Sequence, residues 1–123
     1  MKRLAIHAAY DQALSAAARS GRIQTMLVPD LCRVNGHIYY VRLRDGEERQ
    51  RAQNALAGEG IPALTHYVPL HLSPMGAQLG YRAEDLPESK KTYETLLRMP
   101  IHEGMTPEQA FFVAERLLKA VGA

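Results

Sequence analysis

Two prolines, Pro69 and Pro74, stiffen the middle of this chain and decide what it can fold into. Proline fixes its own backbone torsion, lacks an amide donor and pushes the residue before it toward extended conformations. The stretch Thr65-His66-Tyr67-Val68-Pro69-Leu70-His71-Leu72-Ser73-Pro74 is therefore neither a continuous helix nor a central strand. It reads as a stiff, extended segment leaving a strand. Pro62, a little earlier, confines the strand over 61–67 to a start or an edge position. Two imidazoles and a phenol lie within the six residues 66–71. Such a segment suits ligand contact, because little ordering entropy is lost on binding. The competing reading is that His66 and His71 merely satisfy backbone groups in a loop.

Regular structure is expected on either side. Ile6, Tyr10, Leu14 and Ala17 recur at three- and four-residue spacing in an alanine-rich stretch, which predicts a helix over 2–19 stopped by Gly21. Tyr10, Asp11, Gln12 and Arg19 interrupt the apolar run that a signal peptide needs. Residues 22–36 read as a connector, and His37–Leu43 as a strand with Tyr39, Val41 and Leu43 on one face. Asp45 and Glu48 form a capping-box pattern opening a helix over 46–57. Ser73-Pro74 opens a short helix ending at Gly80, and a further helix is expected over 87–98 with Tyr93, Leu96 and Leu97 inward. Met99-Pro100-Ile101 reads as a short strand. Thr106-Pro107-Glu108-Gln109 caps a last helix whose stripe is Phe111, Ala114, Leu118 and Val121. The expected class is α+β: one small mixed or antiparallel sheet covered by helices.

The chain's 123 residues suit a single domain, and no apolar run approaches the roughly 20 residues of a membrane span. A net charge of +2 gives no argument for nucleic acid. The densest basic stretch, Arg42, Arg44, Arg49 and Arg51, is interleaved with Asp45, Glu47 and Glu48; it reads as a solvated face, with anion binding as the minority reading. The single cysteine, Cys32, forms no internal disulfide and fits a reducing cytoplasm as a bystander thiol. His7, His37, His66, His71 and His102 are scattered, with no spacing that makes a metal site. Lys2, Lys90, Lys91 and Lys119 all fall in expected helices, where exposure is the default.

HIYYVRL, then GIPALTHYVPLHLSP, then an L-P helix and LLRMPIHEGMTPEQ together resemble the C-terminal part of the DegT/DnrJ/StrS sugar-nucleotide aminotransferases. The HY-x-PLH element at 66–71 is the specific part of the match. This chain differs in having Lys90 where the family usually has Glu, and Ile101-His102-Glu103 in place of an aromatic turn. The resemblance implies the small domain of a fold-type I aminotransferase over the single domain 1–123, with 2–21 as a linking helix and 22–123 as the small domain. It implies amino transfer from glutamate to a keto sugar nucleotide, of the 4-keto-6-deoxy kind. PLP belongs to the complete enzyme, and none is expected on this chain alone. Tyr67 and His71, with His66 third, are the implied substrate-binding residues; no catalytic or metal residue is expected. The implied partners are a PLP-binding large-domain chain or a second copy, docked through helix 2–19 and the sheet face, and the nucleotide sugar. The alternative is a non-catalytic nucleotide-sugar-binding or protein-interaction remnant of such an enzyme.

Overall fold

The computed structural model describes residues 2–123. Helix α1 spans Lys2–Arg19 and buries Ile6, Ala9, Tyr10, Leu14 and Ala17, the expected stripe. Gly21 takes a left-handed φ of 74°, which lets the Arg22 amide reach back to the Ala17 carbonyl at 2.9 Å. The chain then forms a strand that the sequence hides: β1, Gln24–Thr25, lies inside the expected connector. Two residues are too few to show any alternation of apolar and polar positions.

Strand β2, Tyr39–Arg42, alternates as expected, with Tyr39 and Val41 buried and Tyr40 and Arg42 half-buried. It is the centre of an antiparallel sheet ordered β1-β2-β3. Strand β3 is Leu96–Met99, in register Tyr39 with Met99 and Arg42 with Leu96. This corrects two expectations. Helix α4 covers Pro87–Thr95 and stops before Leu96, and the third strand starts three residues earlier than Met99. Leucine prefers helix locally, but the ladder offered by β2 and burial of Leu96, Leu97 and Met99 outweigh that small preference.

The expected strand over 61–67 is reduced to one bridge. Leu64 exchanges both backbone hydrogen bonds with Arg98, at 3.1 and 2.7 Å, on the free edge of β3. Pro62 and Pro69 deny the segment any longer ladder.

Helix α2 spans Gly46–Gly58 and buries Glu48, Ala52 and Leu56. The Asp45 carboxylate accepts from the Glu48 amide at 2.8 Å, as a cap should. Glu48 does not complete the expected box: its carboxylate accepts from the Arg44 amide at 2.9 Å and from Arg22.

Helix α5, Pro107–Val121, opens with the complete capping box of Thr106 and Gln109. Its buried stripe is Ala110, Val113, Ala114, Leu117 and Val121, whereas Phe111 is exposed and Leu118 only partly buried. The expected stripe was therefore turned by about one residue. Helix α5 packs against both α1 and α2, and Ala110 and Ala114 are fully buried in the shared core. The core lies between these three helices and one face of the sheet, with Tyr10 stacked on Tyr39 at 4.8 Å between ring centroids. No helix among the described residues is long and apolar enough to cross a membrane.

Candidate substrate-contact arm

Beyond the Leu64 bridge the chain leaves the sheet as an arm. Residues 65–69 are extended, and a short 3-10 turn, Leu70–Leu72, folds back on Pro69 through the Leu72 amide at 2.9 Å. Ser73 then caps helix α3, Pro74–Gln78: its hydroxyl accepts from the Gly76 amide at 3.0 Å and donates to the Leu70 carbonyl at 2.6 Å. Glycine is required at 76 by contact. A Cβ there would lie 2.3 Å from the Leu70 oxygen and 2.9 Å from the His71 Cα. The arm is thus a turn and a helix clamped on each other through Gly76.

Tyr67 stands at the outer end of the arm, 77% exposed, with its ring 5.1 Å from that of His66. These two rings and Pro69 form one wall of a cavity of about 530 Å³, and Glu88, Thr92 and Tyr93 of α4 form the other. His71 lies elsewhere. It is buried, and it borders a second cavity of about 370 Å³ with Ser73, Met75, Leu79 and Tyr81.

The expectation that Tyr67 and His71 share a crevice while His66 turns to the helices is corrected by this arrangement. It rested on strand alternation continuing through Pro69. The turn beginning at Leu70 carries His71 inward instead, and His66 remains beside Tyr67. Among the described residues, the buried His66 Nδ1 and His71 Nε2 have no hydrogen-bond partner. Sequence reasoning missed Glu88, Thr92 and Tyr93 as the facing wall. The four-residue spacing of Glu88 and Thr92 on one helix was the only available signal.

The arm exposes Tyr67, Val68, Leu70 and Met75, with Leu79, Tyr81 and Leu86 just beyond it, and the loop after β1 exposes Leu27, Val28 and Leu31. Helix α1 and the three strands expose no large apolar residue among the described residues. Helix α1 buries its apolar stripe in the core, so the large exposed apolar residues lie chiefly in the arm, the segment after it and the loop after β1.

The remaining candidates from the sequence are accounted for locally. Cys32 is exposed in the loop after β1. The exposed His37 receives only a local contact, its amide donating to Asn35 Oδ1 at 3.0 Å. Lys2, Lys91 and Lys119 are exposed and Lys90 half-buried, and none borders either cavity of the arm.

Comparison with known proteins places this geometry. The model of the DegT/DnrJ/EryC1/StrS aminotransferase family matches residues 1–118. A curated relative, the pleiotropic regulatory protein of Geobacillus stearothermophilus, is 32% identical over 82 residues, covering 66% of this chain and 22% of its own length. Among solved structures, Spr1654 of Streptococcus pneumoniae, described as a sugar aminotransferase and solved in its PMP form, superposes with a TM-score of 0.88 at 23% identity, covering 98% of this chain and 30% of that one. DesV of S. venezuelae superposes with a TM-score of 0.86 at 27% identity, covering 99% of this chain and 32% of that one. The chain thus spans a third or less of the length of each of these three proteins, and over the superposed part its fold is that of the two solved structures. It belongs to the DegT/DnrJ/EryC1/StrS aminotransferase family.

Proposed function

We propose that residues 22–123 are the small domain of a PLP-dependent aminotransferase acting on a keto sugar nucleotide, joined through residues 2–21 to, or paired with, a PLP-binding large domain. The observation that carries this reading is the arm: a stiff segment bearing an exposed Tyr67 over a cavity, in a chain of this family. Support for the cofactor comes from Spr1654, which is known in PLP and PMP forms.

The residues of this chain do not themselves fit PLP. The one lysine that borders a described cavity of the sheet region, Lys91, faces arginines, with no aromatic side chain there to stack on a pyridine ring. The electron sink that PLP supplies when bound belongs to the large domain. This chain's own part is to bind and orient. The Tyr67 hydroxyl donates to a phosphate or sugar oxygen, and His66 beside it offers a second donor. His71, buried in the turn beside the second cavity, sets the shape of the arm and does not line the Tyr67 cavity.

The apolar surface of the arm fits burial against a large domain or a second copy, since monomers rarely leave large apolar patches uncovered. An exposed thiol at Cys32 fits a reducing cytoplasm. Reconstitution tests the proposal. A PLP-loaded large domain of the family, mixed with this chain, should aminate a 4-keto-6-deoxy sugar nucleotide at the expense of glutamate. A competent large domain that neither binds this chain nor gains activity from it would refute the reading.

A further inference from the structure

The basic stretch singled out in the sequence is divided by the fold. Arg49 donates to the Glu94 carbonyl and to Gln53, and Arg51 pairs with Glu47 one turn away, so both are absorbed by helix α2 and its neighbour. Arg42 and Arg44 turn the other way. With Arg22 from the turn between α1 and β1 and Lys91 from α4 they wall a polar pocket of about 440 Å³. Helix α4 separates this pocket from the Tyr67 cavity, and Glu88 borders both.

The four cations are not equivalent. Arg22 is held by Glu48, and Arg44 by Asp45 at 2.9 Å. No ion pair holds Arg42 or Lys91 among the described residues, and Glu88 is the single carboxylate on the pocket wall. Arg42 is nevertheless fixed in place. Its Nε donates to Thr95 Oγ1 at 3.3 Å, while the Thr95 hydroxyl donates to the Lys91 carbonyl at 2.8 Å. Thr95 is buried, so this chain of bonds ties the guanidinium to the helix that carries Lys91. Anchoring through Nε leaves both terminal nitrogens of Arg42 free, and these form the fork that grips two oxygens of one anion. A fixed fork with an exposed ammonium on the same wall suits a group of two or more negative charges better than a single carboxylate.

We infer that this pocket binds a phosphate-bearing small molecule, with Arg42 and Lys91, the two cations no ion pair holds among the described residues, making the direct contacts. Its volume exceeds that of a phosphate group and lies in the range of ordinary ligand pockets. The pocket shares Glu88, but neither Tyr67 nor His66, with the cavity proposed for the sugar nucleotide.

The test uses the 123-residue chain, isotopically labelled and titrated with inorganic diphosphate and with inorganic phosphate at constant ionic strength. Saturable shifts should appear at the amides of residues 21–24, at Leu43 and along 91–95, with diphosphate bound more tightly than phosphate. Arg42→Gln should weaken diphosphate binding by about tenfold or more, the loss expected for charged hydrogen bonds. Lys91→Gln, on an exposed helix position that folding does not depend on, should weaken it by about threefold, as for an exposed charge. Arg82→Gln, a remote exposed arginine, should change nothing. Unsaturable shifts spread over every surface arginine would overturn the inference. So would equal losses in the Arg82 and Lys91 variants, because binding would then follow net charge alone.

Discussion

The Arg22 guanidinium closes on the Glu48 carboxylate with two hydrogen bonds, Nη2 to Oε1 at 2.5 Å and Nη1 to Oε2 at 3.2 Å. The same guanidinium also donates to the Val121 carbonyl. One side chain thereby joins the turn after α1, the first turn of α2 and the end of α5. The Arg22 hydrogen bonds hold the buried Glu48 carboxyl below the usual carboxylate range, assisted by the Arg44 amide. A carboxyl whose pKa is depressed on folding stabilises the fold fully above its unfolded value of about 4.3, and that stabilisation is lost as pH falls through the folded value. Glu48→Gln should therefore cost roughly 2 kcal/mol at pH 7. Its urea-unfolding free energy should also fall less steeply than that of the parent below about pH 5. Parallel pH curves for the two proteins would show that Glu48 does not carry this dependence.

Two tyrosines set the alkaline limit. The Tyr10 hydroxyl donates to the Pro100 carbonyl at 2.8 Å, and the Tyr39 hydroxyl to Asp11 Oδ1 at 2.8 Å. Burial raises both phenols well above their ordinary value, and for Tyr39 the Asp11 carboxylate raises it further. A raised acid pKa means that the unfolded chain loses its proton first, so stability falls as pH rises above about 10. Absorbance at 295 nm should show two of the six tyrosines ionising only as the fold is lost. Tyr39→Phe should reduce that number to one. Ionisation of all six in a chain that keeps its near-ultraviolet dichroism would contradict this account.

Gly76→Ala should loosen the arm without unfolding the core. The new methyl meets backbone atoms on both sides, so the turn and α3 must separate, at a cost of about 1–3 kcal/mol. Hydrogen exchange should quicken at Leu72, Leu79 and Tyr81, whose amides close the arm, and stay slow in α1 and α5. Unchanged protection at those three amides would mean that the clamp is unnecessary.

Where local physics and tertiary demand agree, the sequence was legible. The Ile6-Tyr10-Leu14-Ala17 stripe and the Thr106 box are set by residues within a turn of each other, and both were readable. Leu96 and Leu97 were not, because their strand exists only through a partner more than fifty residues away. The one-residue error in the α5 stripe has a similar origin: Phe111 looks like a core residue, but tertiary packing buries its small neighbour Ala110 instead. In the arm, the prolines announced stiffness, and Tyr67 and His66 stand together as exposed and half-buried neighbours. The inward turn of His71 depends on the Gly76 contact, which sequence spacing does not encode.

The central claim is that this chain contributes substrate contacts through Tyr67 to an enzyme whose PLP lies in another domain. Steady-state kinetics of the reconstituted enzyme test it most directly, comparing the parent chain with Tyr67→Phe. Removing one hydrogen bond to a charged group should raise KM for the sugar nucleotide by about tenfold or more and leave kcat within a few-fold, since the contact is made equally in ground and transition states. KM for glutamate should not move. An unchanged sugar-nucleotide KM with a collapse of kcat would contradict the account, because Tyr67 would then act in the chemical step and not in binding.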